Sequence, residues 1–338
     1  MAATTEPGAH AQPRRQLSDL DPVARRLRIQ ESRGRLSDTV ADIEAQVVQA
    51  LGLGQFSLLY QPRVSLRTGD VVEIEALLRW QDRTRGVLGP KAFLPHVAQT
   101  SAMIALGQWV LDDACSQAAR WNVERPAGDA PVTLSVNVAA EEVLEAGFVE
   151  GVLLVLQERA LPTTMLQLEV DASDPLRTET LVSTRLQQLR DEGVRLAIDG
   201  ASPLLGSGSA RVEADSVHLQ RRWVRAIGSD AAVAARVASL VERVHRSGGT
   251  VCATGVEERE EADALSTLGC DHAQGYLFYE PVPADALGWL GSERSRGEGR
   301  EHEQAPPPRL RVDPGDAVGG GRLPRRKPTA ASYLPARR

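Results

Sequence analysis

From Phe56 to about Leu290 the chain alternates short apolar runs with amphipathic stretches. FSLLYQPRV and VVEIEALLRW flank a turn at Arg67-Thr68-Gly69-Asp70, which predicts a β-hairpin. Strand-length runs follow at VTLSVNV, LQLEV, VRLAID, ADSVHL and GTVCATG. Between most of them the apolar spacing predicts helices over Leu106–Trp121, Gly147–Arg159, Leu176–Glu192, Ala231–Arg246 and Glu258–Leu268. Strands that read as buried on both faces and are separated by helices call for a parallel sheet. About eight strands in roughly 235 residues favour closure into an α/β barrel over an open sheet. The opening hairpin makes one strand antiparallel.

The flanks read differently. Residues 1–16 are rich in Ala, Pro, Thr and Gly and are expected to form a disordered arm. Asp21-Pro22 has the form of a helix cap followed by proline at the first helical position, and Ser37 opens a second helix. Val40, Ile43, Val47 and Leu51 form its stripe and Gly52 its stop, so residues 17–52 are taken as N-terminal helices ahead of a barrel domain over 53–290. Residues 291–338 carry Pro306-Pro307-Pro308 and Gly319-Gly320-Gly321, and are expected to be a disordered basic tail with eleven Arg and Lys against six Asp and Glu. The N-terminal helices or this tail are the expected contacts for a protein partner.

The formal net charge of -6 lowers the expectation of a dedicated nucleic-acid binder, and no DNA-binding motif is present. No apolar run reaches the roughly 18 residues of a membrane span, and the N-terminus lacks the order of a secretory signal. Cys115, Cys252 and Cys270 show no C-x-x-C spacing, which leaves a cytoplasmic protein as the expectation.

In an α/β barrel the chemistry gathers at the carboxyl ends of the strands. Glu75, Asn137, Glu169 and Asp199 stand near four such ends. Three carboxylates and an amide converging on one mouth are hard oxygen ligands suited to Mg2+, Mn2+ or Ca2+. Each taken singly is an ordinary cap or surface residue; the convergence makes them a candidate site.

Y-Q-P at Tyr60 to Pro62, E-A-L-L-R-W at Glu75 to Trp80, the helix from Trp109 to Trp121 and Q-G-Y at Gln274 to Tyr276 together resemble the EAL domain family over roughly residues 50 to 290. That resemblance implies a modified TIM-type (β/α)8 barrel with an antiparallel first strand. It also implies a two-metal phosphodiesterase that opens cyclic di-GMP to linear pGpG. By the same resemblance Glu75, Asn137, Glu169 and Asp199 are the ligands of the first metal, and Gln61, Leu78, Arg79, Glu257, Tyr276 and Pro281 line the nucleotide site.

Three positions depart from the family pattern. Gly200 stands at the second-metal aspartate, His218 at the catalytic lysine and Thr254 at the first glutamate of A-E-G-V-E. The segment from Pro203 onward also departs from the family's loop. Glycine offers no side-chain oxygen, and threonine cannot serve as a carboxylate base. Loss of one base or stabiliser costs roughly 10²- to 10⁴-fold in rate. The expectation is a degenerate member holding at most one Mg2+ or Mn2+, without the second, and acting as a cyclic di-GMP receptor. The alternatives are a weak metal-dependent phosphodiesterase and a scaffold that binds no nucleotide.

Overall fold

The computed structural model describes residues 42–125, 131–171, 180–200 and 214–291. The expectations for the N-terminal arm, the first N-terminal helix, the basic tail and most of the segment from Pro203 onward lie outside these residues.

Helix α1 spans residues 42–52, with Val47 fully buried and Ile43 and Leu51 packed beside it, three of the four expected stripe positions; Val40 and the expected start at Ser37 lie outside the described residues. The predicted hairpin is β1 (Phe56–Ser65) against β2 (Val71–Asp82), paired antiparallel from Phe56↔Trp80 to Val64↔Val71. A short β3 (Gly86–Leu88), which the sequence pattern does not predict, folds back on the end of β2. From β2 the sheet runs in parallel through β4 (Thr133–Asn137), β5 (Leu166–Asp171), β6 (Arg195–Asp199), β7 (Ser216–Leu219), β8 (Thr250–Thr254) and β9 (His272–Gln274). Antiparallel pairing of β9 with β1 closes an eight-stranded barrel, with β3 as an extra edge strand. The seven longer strand segments match the predicted runs. β9 has only three residues, too few for any periodicity to register.

Helices α2 (Leu94–Val97), α3 (Ser101–Glu124), α4 (Ala140–Leu144), α5 (Phe148–Glu158), α6 (Thr180–Asp191), α7 (Arg221–Ile227), α8 (Ala231–Arg246) and α9 (Arg259–Thr267) follow the strands. Asp230 caps α8 by accepting from the amides of Ala232 and Val233, which fixes its start where the sequence places it. Outward-facing strand residues such as Ile74, Leu134, Leu168 and Val251 pack under these helices and are fully or almost fully buried. No helix among the described residues is long and apolar enough to cross a membrane.

One buried acid lies outside the barrel. Glu142 of α4 accepts from the amide of Ala139 and packs against Gly107 of α3, where a Cβ would come within 1.5 Å of its Oε1. Burial pushes its carboxyl up to about 7. An acid whose pKa is higher in the folded state gives stability that is full below its unfolded pKa of about 4.5 and lost as pH rises through about 7. Glu142→Gln keeps the acceptor and removes the titration. Its melting temperature should equal that of the native chain near pH 5 and exceed it near pH 8, as scanning calorimetry at the two pH values would reveal; equal values at pH 8 would contradict the burial argument.

Candidate nucleotide and metal site

A barrel of this type ordinarily fills its interior with branched apolar side chains. Here the strands alternate, and their inward positions are mostly polar: Gln61 and Arg63, Glu73 and Glu75, Ser135 and Asn137, Gln167 and Glu169, Arg195 and Asp199 on either side of Ala197, Ser216 and His218, Cys252 and Thr254, His272 and Gln274. Reading these strands as apolar on both faces therefore holds only for the outer face.

Arg63 stands at the centre of this interior with 2% of its surface exposed. It forms an ion pair with its cross-strand neighbour Glu73, and its Nη2 lies 3.0 Å from Glu75 Oε2 and 2.6 Å from Glu169 Oε1. Its Nε donates to Gln274 Oε1 at 3.1 Å and its Nη1 to Ser135 Oγ at 3.3 Å. A single guanidinium thus spends its donors on four strands besides its own.

Above Arg63 opens a cavity of about 330 Å3, lined among others by Gln61, Glu75, Glu169, Asp199, Thr254, Glu257 and Tyr276. Glu75 is buried and accepts from Asn137 Nδ2 and Gln274 Nε2, both at 2.8 Å. Burial, reinforced by the negative charge of Glu169, raises its pKa. Asp199 is raised for the same two reasons. Burial also pushes Glu169 upward and is the largest single influence, but the Arg63 guanidinium, His218 and the Ser135 hydroxyl together outweigh it and hold this carboxyl well below the usual range. The four expected first-metal ligands accordingly sit at neighbouring strand ends, with Asn137 linked to Glu75 and paired in register with Glu169.

Of the four acids on the cavity Glu257 is paired with Arg221, and the other three, Glu75, Glu169 and Asp199, face the one guanidinium of Arg63, which leaves surplus negative charge; two of those three, Glu75 and Asp199, resist ionisation. A divalent cation would relieve both effects, and carboxylate and amide oxygens are the donors that a hard ion takes. Among the described residues, the acids and imidazole that bring ligand atoms within 4.8 Å of one another are Glu73, Glu169 and His218.

Gly200, His218 and Thr254, the three positions expected to differ from the family pattern, have distinct surroundings. Gly200 has φ +72, and a Cβ there would lie 2.4 Å from Gln220 Nε2, so the amide of Gln220 fills the space that a side chain at 200 would enter. His218 is 1% exposed; its Nδ1 lies 3.3 Å from Glu169 Oε2, and neither ring nitrogen is placed in hydrogen-bonding geometry. Together with the unsatisfied Oε1 of Gln167 it lines a cavity of about 20 Å3 beneath Arg63, room for about one water. Thr254 donates its hydroxyl to Leu219 O at 3.0 Å, a link between the ends of β8 and β7.

Around the rim, Arg79 is half-buried and donates to the carbonyl of Leu78. Arg221 grips the Gly255 carbonyl and the Glu257 carboxylate. Tyr276 is 63% exposed and lines the cavity. Pro281 is half-buried next to the bridge between Tyr60 and Val282 and does not line the cavity. Leu78 is a correction. It is 8% exposed within the hydrophobic core, because strand side chains alternate and Leu78 falls on the opposite face from Glu75 and Arg79. Leu77 shares their face instead. Sequence reasoning also missed Arg63, Glu73, Ser135 and Gln274, although their two-residue spacing from Gln61, Glu75, Asn137 and Tyr276 was readable.

The EAL domain model matches residues 44–281. The chain belongs to the EAL domain family. It is 34% identical over 243 residues to the bifunctional diguanylate cyclase/cyclic di-GMP phosphodiesterase MucR of Pseudomonas aeruginosa, covering 71% of this chain and 35% of MucR. An uncharacterised Mycobacterium tuberculosis protein is 33% identical over 246 residues, which cover 70% of this chain and 78% of that protein. The chain therefore spans about a third of the length of MucR. Among solved structures, the PaMucR phosphodiesterase in complex with c-di-GMP superposes with a TM-score of 0.66 at 32% identity, over 73% of this chain and 99% of that one. The EAL enzyme Bd1971 bound to cAMP and cyclic di-GMP superposes with a TM-score of 0.69 at 27% identity, over 81% and 77% of the two chains. Both are EAL barrels, as is this domain.

Proposed function

We propose that this EAL domain binds cyclic di-GMP at the barrel mouth as a receptor and has lost most of the family's hydrolytic activity. The observation that carries this reading is the surroundings of Gly200, the residue that matches the second-metal aspartate: it offers no carboxylate, and the Gln220 amide lies 2.4 Å from where its Cβ would be. The neighbouring Thr254 hydroxyl is committed to Leu219 O, so neither position supplies an oxygen anion to the mouth. What binding needs is still present. Arg79 and Gln61 lie beside a cavity with an exposed aromatic ring, and the PaMucR complex shows that a related barrel takes this ligand.

Arginine suits a phosphate because its planar fork donates two parallel charge-assisted hydrogen bonds. Glu257, held by Arg221, offers an acceptor to the donor edge of a guanine. The metal fits as a single ion on Glu75, Asn137, Glu169 and Asp199, where its chemistry would be to polarise a phosphodiester oxygen and acidify a bound water. These side chains orient the phosphate side of the ligand whether or not the ion is bound.

Titration calorimetry of the full chain with cyclic di-GMP, with and without Mg2+, tests the reading. Binding should be saturable, and Arg79→Ala should weaken it roughly tenfold to hundredfold, the worth of a charge-assisted hydrogen bond. No heat at high micromolar nucleotide would sink the receptor reading. The complete first-metal set favours one alternative, slow hydrolysis with a single Mn2+. It would appear as pGpG in the same sample and would vanish in Glu75→Ala.

A further inference from the structure

We infer that Arg63 is a built-in competitor for the divalent cation: its guanidinium occupies the ligand oxygens that an ion at the mouth would use, and so sets how tightly this barrel binds metal. Glu75 Oε2 and Glu169 Oε1 are the two oxygens that Arg63 Nη2 engages, at 3.0 and 2.6 Å. Both belong to the candidate metal ligands. Glu73, which anchors the other arm of the fork, does not line the mouth cavity. Arg63 is therefore tethered from below and reaches the metal ligands from behind.

The argument is one of charge. A guanidinium and a metal ion within a few ångström repel each other, and both are stabilised by the same carboxylates. In a water-poor interior such terms are several times larger than at a surface. An ion entering the mouth must either push the guanidinium off Glu75 and Glu169 or share them with it, and either course weakens its binding. The same guanidinium supplies part of the positive charge that these acids would otherwise take from metal. It is thus a positioning residue, which keeps Glu75, Glu169 and Gln274 in place when no ion is present. A purely structural role predicts the opposite sign: loss of Arg63 would disorder the ligands and weaken every kind of binding.

The inference rests on Glu75 and Glu169 being cation ligands and not on nucleotide binding, so the test omits nucleotide and the two readings fail separately. Removal of a buried cation alone endangers the fold, so Arg63→Met is combined with Glu73→Gln, and Glu73→Gln alone is the reference. Mn2+ titration of the full chain, followed calorimetrically with circular dichroism as the fold control, should show the double variant binding at least about tenfold tighter than the reference. Arg63→Lys, which keeps the charge, should stay within about threefold of the native chain. A folded double variant that binds Mn2+ no tighter than Glu73→Gln overturns the inference. Should the double variant be unfolded without metal, millimolar Mn2+ should restore its helical spectrum by returning the missing positive charge; no recovery also overturns it.

Discussion

Arg63→Leu should lose about 3–5 kcal/mol of stability, the usual cost of leaving a buried charge without its partner. Here one deletion strips the counter-charge from Glu73, Glu75 and Glu169 at once, and leaves Gln274 Oε1 and Ser135 Oγ without a donor from that side. Leucine fills much of the volume but none of the charge, so packing cannot compensate. Urea unfolding of the two proteins side by side measures the difference, and a loss below about 1 kcal/mol would show that the acids are relieved by protonation instead. Adding Glu73→Gln to Arg63→Leu should recover part of the loss, because one fewer acid then needs a partner.

Gly275→Ala should be about as damaging, at roughly 3 kcal/mol or more, for an unrelated reason. A Cβ on residue 275 would sit 1.9 Å from Val256 O and 2.3 Å from Val256 N, both backbone atoms. No rotamer change relieves a clash between main chains, so the strands must part. The contact is also tied on both sides: Val256 N donates to Gln274 O, Leu277 N donates to Val256 O, and the amides of Phe278 and Tyr279 donate to the Gly275 carbonyl. Because Gln274 and Tyr276 flank the glycine, nucleotide binding should fall together with the melting temperature. A variant with native stability would mean that the loop after β9 yields easily.

The architecture was legible in the sequence wherever strands and helices were long enough to show a period. Ala231–Arg246 is the clear case, with a capping aspartate before it and a basic last turn. Two things were not legible. β9 spans a single in-out-in alternation, too short to register as a pattern, so only the Q-G-Y resemblance touched the strand that closes the barrel. The polar interior was hidden differently. Each inward residue sits between apolar outward ones, and a strand such as VTLSVNV reads as a buried run unless its two faces are counted separately. Once they are, Gln61 and Arg63, Glu73 and Glu75, and Gln167 and Glu169 fall into line. Leu78 was misplaced by the same oversight, one residue out of phase. The link between Gly200 and Gln220 lies beyond any reading of single strands, because the two residues are neighbours only through the barrel.

The reversed first strand has a consequence for where α1 meets the barrel. In a barrel of all-parallel strands the chain would enter at the floor, far from the pocket. Here β1 runs downward from the rim, since Phe56 pairs with Trp80 near the upper end of β2 and Val64 with Val71 near its base. Helix α1 feeds into that upper end, and its Gln46 is bonded to Arg85 beside β3. Helix α1 is therefore joined to the barrel at its mouth end, through the same strand that carries Gln61 and Arg63.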